Sequence, residues 1–175
     1  MALAALGARP MIAFEVYGDP APKGSMQLVR GRLIASNPHE LQRWAKNVAG
    51  AAQAAMYGGR HEVYVERELV VRVEFRLLRP RGHLDARGNV KAIAPRRPRV
   101  KPDLDKLLRG VLDPLTGLVF DDDARIVETV ARKVYAEHPG AALRVYALDE
   151  VAALLGSAVA QPSLFEPTTH ERSTP

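Results

Sequence analysis

Apolar and polar residues alternate in Met11–Gly18, MIAFEVYG, and again in Glu68–Leu78, ELVVRVEFRLL, where Val71, Val73, Phe75 and Leu77 interleave with Arg72, Glu74 and Arg76. A period of two sorts side chains onto two faces, so both segments are predicted strands with one buried side. The turn-forming DPAPKGS ends the first, and MQLVRGRLIAS predicts two short strands around Arg30-Gly31. The period then changes. In NPHELQRWAKNVAGAAQAAM, Leu41, Trp44, Ala45, Val48, Ala52 and Ala55 mark one buried helix face, with Asn37 as N-cap and Pro38 in the first helical position. A second helical stripe runs through Leu104, Leu107, Leu108, Val111, Leu112 and Leu115. This helix starts near Asp103, because Pro102 disfavours a helical Lys101, and Pro114 ends it early. ARIVETVARKVYA and AALRVYAL predict a hairpin around EHPG, and DEVAALLGSAVA a terminal helix.

These elements fit one domain over residues 11–158. Residues 1–10 are expected to form a disordered lead and residues 159–175, polar and Pro-containing, a flexible tail. Between the long strand and the second helix lies a stretch of about 20 residues without periodicity, a length that marks a functional or disordered loop. It carries Arg79, Arg81, Arg87, Lys91, Arg96, Arg97, Arg99 and Lys101 against the single acid Asp85.

Composition narrows the chemistry. At 175 residues and 47% hydrophobic, the chain can bury a core without staples. It has no cysteine, which excludes disulfides and thiolate catalysis and leaves oxygen or imidazole ligands for any metal. No apolar run approaches a membrane span, and MALAALGARP lacks the form of a secretory signal, so a cytoplasmic protein is expected. The net charge of +5 favours a polyanionic partner.

Against that basic background, Asp103, Asp105 and Asp113 lie in or beside the second helix, and Asp121, Asp122 and Asp123 stand between LVF and a strand. One reading is structural: Asp103 caps, Asp105 favours the helix dipole and pairs with Arg109, Asp113 is solvated, and the triplet is a turn. The other is chemical. Three adjacent carboxylates repel one another, and a cation would relieve the repulsion. Mg²⁺ takes a few carboxylates and completes its shell with water and phosphate oxygens, so Asp103, Asp105 and Asp123, with Asp122, can supply its protein ligands. The five histidines show no ligand spacing and Trp44 reads as core.

KPDLDKLLRGVLDPLTGLVFDDDARIVE resembles the signature of the RusA family of Holliday-junction resolvases: an Asp-x-Asp at a helix start, a basic residue four positions after the second Asp, a further Asp, and an Asp-Asp opening a strand. DPAPKGS, the GRLIAS hairpin and the helix around Trp44 extend the resemblance over roughly residues 11–148. It implies an α+β fold, a small mixed β-sheet with two main helices packed on it, assembled as a homodimer. It implies a Mg²⁺-dependent endodeoxyribonuclease, with Mn²⁺ able to substitute, that nicks opposing strands of branched DNA in a bacterial or phage-infected cell. Asp103, Asp105 and Asp123 match the family's catalytic carboxylates and Asp122 the acid before the last of them. Arg109 stands where a Lys is usual; it keeps the charge but cannot act as a base. Lys23, Arg30, Arg32, Arg96, Arg97, Arg99 and Lys101 are candidates for gripping phosphates. Two other classes stay open, a non-catalytic branched-DNA-binding module and a metal-dependent phosphoesterase on other nucleic acids. In the tail, Gln161, Leu164 and Phe165 of QPSLF resemble the short peptides by which bacterial replication and repair proteins dock onto the sliding clamp.

Overall fold

The computed structural model describes residues 9–24, 26–29, 31–35, 37–59, 63 and 66–151. Its elements are β1 (Ile12–Tyr17), β2 (Met26–Val29), β3 (Arg32–Ala35), α1 (Pro38–Gly59), β4 (Leu69–Leu78), α2 (Leu104–Leu112), β5 (Ile126–Ala136) and β6 (Gly140–Ala147). A helical turn begins at Leu148 and the described residues end at Val151, so most of the expected terminal helix lies outside them. Among the described residues, no helix is long and apolar enough to cross a membrane.

The fold is α+β, as expected. A four-stranded mixed sheet has the order β1-β6-β4-β5, and β2 pairs with β3 in a separate antiparallel ribbon. The periods read from the sequence set the faces. Ile12, Phe14 and Val16 of β1 and Val71, Val73 and Phe75 of β4 point into one core, where they meet Trp44, Val48, Ala52 and Met56 of α1. Helix α2 adds Leu107 and Val111, and Leu115, Val119 and Phe120 follow; all five are fully buried. Each such side chain contributes about 1.5–3 kcal/mol relative to leaving it in water. Both helices therefore lie on the same side of the sheet. Asn37 accepts the first helical bond through its carbonyl, from the Leu41 amide at 3.0 Å, while its side-chain amide donates to the Pro22 carbonyl at 3.3 Å.

One expectation is overturned. The last two strands do not form a hairpin: β4 lies between them, parallel to β5 and antiparallel to β6. Sequence neighbours pair by default, but β4 carries a nearly continuous buried face and is best used as a central strand. The parallel β4–β5 pair needs a long crossover, and residues 79–125 with α2 provide it. Strand β6 then slots between β1 and β4, with Gly140 opposite both Tyr17 and Arg76. A Cβ on Gly140 would come within 2.2 Å of the Val16 carbonyl oxygen, so that glycine serves a close approach and not only a turn.

Candidate active site

Helix α2 places the first set of acids. Asp103 occupies the N-cap position with extended backbone, and its carbonyl accepts from Leu107 at 3.0 Å. Its carboxylate makes no cap hydrogen bond; it pairs with Lys106, Nζ to Oδ2 at 3.1 Å. Asp105 and Arg109, one turn apart, are exposed, and among the described residues neither side chain makes a hydrogen bond or ion pair. The Asp105–Arg109 pair of the purely structural reading is therefore not formed. Asp113 has a partner that the sequence concealed, the Lys23 ammonium. Lys23 is thus ion-paired, though half exposed.

The segment from Asp19 to Gly24 seats itself along this helix. The Lys23 amide donates to the Lys106 carbonyl at 2.8 Å. The Ala21 carbonyl oxygen lies where a Cβ on Gly110 would approach it to 2.4 Å, and Gly24 lies against the Arg109 guanidinium. Pro20, Pro22, Lys101, Pro102, Asp103 and Lys106 line a surface hollow at the start of α2. Lys133 of β5 fixes that start from below, its ammonium donating to the carbonyls of Val100 and Pro102 at 2.8 Å each.

The second set precedes β5, and there the chain itself absorbs most of the charge. Arg125 holds Asp121 in a two-pronged ion pair, at 3.2 and 3.0 Å. That hydrogen bonding holds the Asp121 carboxyl below its ordinary value and raises Arg125. Asp122 caps a short 3₁₀ turn, accepting from the Ala124 amide at 2.9 Å. Asp123 is exposed and, among the described residues, has no such partner. The repulsion that invited a cation is thus relieved internally for two of the three acids. Arg125 was missed by sequence reasoning, although its position four residues after Asp121 is a recognisable pairing distance.

The two sets do not meet in one chain. Asp103 follows the residues tied to Lys133, whereas Asp123 lies before Ile126; seven residues of extended strand, about 23 Å, separate Ile126 from Lys133. Among the described residues, no three acidic or imidazole side chains form a group able to hold a metal ion. The free oxygens of Asp105 and Asp123 suit a hard divalent cation, but the described residues of one chain do not gather them into a group of three or more ligands.

The basic loop is built by its only acid. Asp85 Oδ1 accepts from the Arg87 and Asn89 amides at 2.8 Å each, which closes a small turn across the Leu84–Val90 bridge. These bonds, Asn89's first, keep the Asp85 carboxyl below its usual range. Arg79 packs over the Tyr135 ring at 4.2 Å and donates to the Pro95 carbonyl at 3.0 Å, so it is structural. Arg96, Arg97, Arg99 and Lys101 are exposed. Arg30 and the side chain of Arg32 fall outside the described residues, as do Gln161, Leu164 and Phe165.

A family model described as "Endodeoxyribonuclease RusA" matches residues 18–146, which takes in both helices, the basic loop and both sets of acids. The chain is also similar to "Uncharacterized protein YqaN" of Bacillus subtilis (strain 168), with 27% identity over 136 residues that cover 73% of this chain and 90% of that protein.

Proposed function

From the premise that the chain belongs to the RusA endodeoxyribonuclease family, we propose that it resolves four-way and other branched DNA by paired, Mg²⁺-dependent nicking, as a homodimer. Family membership implies the endodeoxyribonuclease activity. The observation that carries the finer reading is the pattern of satisfied and unsatisfied acids: Asp113, Asp121 and Asp122 are used by the fold, while Asp105 and Asp123 are left without internal partners beside a cationic margin.

Asp103 and Asp105 from one end of the sheet, with Asp123 and the remaining oxygen of Asp122 from the other, would hold the ion. When bound, Mg²⁺ or Mn²⁺ supplies a more acidic attacking water and charge neutralisation at the phosphate. Because the two sets stand apart in one chain, a second protomer is needed to bring them together, which supports the dimer. Arg109 is a guanidinium cation, which steadies phosphate oxygens and cannot serve as a base. Arg96, Arg97, Arg99 and Lys101 hold backbone phosphates, which gives salt-sensitive binding with little base selectivity. Lys106 keeps Asp103 oriented. Action in recombination or repair in the cytoplasm follows from that substrate, and QPSLF supports a sliding clamp as an additional partner.

The test compares purified full-length protein on a synthetic four-way junction, a fork and a linear duplex, with Mg²⁺ and with EDTA. Symmetrical nicks in the junction that disappear with EDTA are expected. Junction binding without cleavage would instead indicate a non-catalytic binding module, and equal cleavage of all three substrates would remove the preference for branches.

A further inference from the structure

The face of the main sheet turned away from α1 and α2 carries Arg72, Arg76, Arg132 and Arg144. Cross-strand register sets its residues in rows: Ala13, Arg144, Arg72 and Val130 stand side by side in one, and Glu15, Ala142, Glu74 and Arg132 in the next. In the second row charge is answered. Arg132 pairs with Glu74, and Arg76, one row further on, donates to Glu15 at 3.0 Å. That hydrogen bond, with a weaker pull from Arg144, holds the Glu15 carboxyl below its ordinary value.

The first row has no such answer. Arg72 and Arg144 stand directly opposite each other on neighbouring strands, where like charges destabilise a sheet. Among the described residues neither side chain makes a hydrogen bond or ion pair, and Glu128 at the sheet edge makes none either. The small side chain of Ala142 leaves room beside them. Glu15, Arg72, Arg76, Ala142, Arg144 and Tyr146 are among the walls of an open hollow of about 310 Å³, and the Arg76 Nε is buried without an acceptor. Two adjacent guanidiniums with no carboxylate between them fit a group that brings several anionic oxygens, as a phosphate does.

We propose that Arg72 and Arg144 together grip one backbone phosphate of duplex DNA on the back of the sheet, a contact separate from the acids at the starts of α2 and β5. That the polyanion is DNA rests on the function proposed above. A phosphate between the two guanidiniums turns their repulsion into a bridge. An acidic peptide suits the place less well: the arginines stand on β4 and β6, the two central strands, whose backbones are already paired on both sides and leave no edge for an added strand. The contact reads no base, so it adds affinity without sequence preference.

Full-length wild type, Arg72→Gln/Arg144→Gln and Arg67→Gln are compared for binding of a linear duplex and a four-way junction in EDTA over a series of salt concentrations. One phosphate contact contributes about 0.9 to the slope of log affinity against log salt, so the double variant should lose about one unit of slope and about tenfold in affinity near about 0.1 M salt. Arg67 is also half exposed but stands among Glu66, Glu68 and Asp149, and Arg67→Gln should leave the slope unchanged. Without DNA the double variant should melt no lower than wild type, because a repulsive pair has gone. An unchanged slope in the double variant overturns the proposal, and an equal loss in Arg67→Gln does so by showing net charge alone at work. A double variant that melts clearly lower overturns it too, since the arginines would then hold a carboxylate of the protein or of a protein partner. Wild-type cleavage of the junction with Mg²⁺, measured in parallel, separates the two claims: cleavage with an unchanged slope rejects this site alone, and a changed slope without cleavage rejects the nuclease reading alone.

Discussion

The start of α2 and the start of β5 are both crowded with aspartates, yet the fold treats them differently. At α2, Lys23 takes Asp113 and Lys106 takes Asp103, while Asp105 stays open beside Arg109. At β5, Arg125 and the Ala124 amide occupy Asp121 and Asp122, and only Asp123 stays open. Each region thus pairs most of its acids and leaves one exposed acid without a partner among the described residues. The difference teaches that acid density is a poor guide to chemistry. The informative acids are those whose neighbours are used and which are themselves left over.

Exchanging used for unused acids gives the sharpest contrast. Asp105→Asn and Asp123→Asn are each expected to lower junction cleavage by at least about 10²-fold, judged from the cost of removing single charge-stabilising groups elsewhere. Junction binding, by gel shift, should stay intact or tighten, and thermal melting should not fall, since neither carboxylate makes an internal bond. Asp121→Asn should show the reverse, near-normal cleavage chemistry with a loss of stability. If Asp105→Asn and Asp123→Asn both cut at the wild-type rate, the contrast fails.

Arg109 tests how far charge alone accounts for the α2 region. Arg109→Ala should lose about 10-fold to 100-fold in cleavage and Arg109→Lys should retain most of it, because the position is asked only for a cation near phosphate. A lysine variant as impaired as the alanine one would show that the guanidinium's planar geometry is required.

Gly110 tests the packing that positions this region. In Gly110→Ala the new Cβ would meet the Ala21 carbonyl oxygen, a backbone atom, at 2.4 Å, so the Asp19–Gly24 segment must lift or α2 must shift. Overpacking of this kind costs about 1–3 kcal/mol, readable in urea unfolding. An unchanged midpoint would mean that the segment is not seated as described.

The smallest effect concerns the β5 region and pH. Arg125 lowers the Asp121 carboxyl in the folded chain, so folding binds the ionised form more strongly than the unfolded chain does. The resulting stabilisation is fully present above the ordinary carboxylate value and is lost as pH falls through the lowered one. Wild type should therefore melt slightly above Asp121→Asn at neutral pH, and the two should converge on acidification. A gap that widens in acid would reverse the assignment.

The strands and helices were legible in the sequence because periodicity is local: Val71, Val73 and Phe75 and the leucine stripe of α2 carry their own burial pattern. Pro114 likewise marked the end of α2, where a 3₁₀ turn takes over. Strand order was not legible, since nothing within ARIVETVARKVYA reveals that β4 will separate it from the strand that follows. The same limit hid the Lys23–Asp113 pair, whose members are 90 residues apart. The turn organised by Asp85 did leave a signal, an Asp followed by Gly88-Asn89, set within a run of cationic residues. For the acids, the sequence named the candidates and the fold sorted them; the four-residue spacing from Asp121 to Arg125 was the legible hint that Asp121 is used by the fold.

The account's central claim is that one active centre draws acids from two chains. Mixing purified Asp105→Asn with purified Asp123→Asn, each inactive alone, tests it most directly after unfolding and refolding together to exchange subunits. In a mixed dimer one centre carries both substitutions and the other carries neither, so Mg²⁺-dependent nicking of one junction strand should return. If each chain instead held a complete centre of its own, every centre in the mixture would carry one substitution. Cleavage would then stay at the level of the separate variants, and the account would be contradicted.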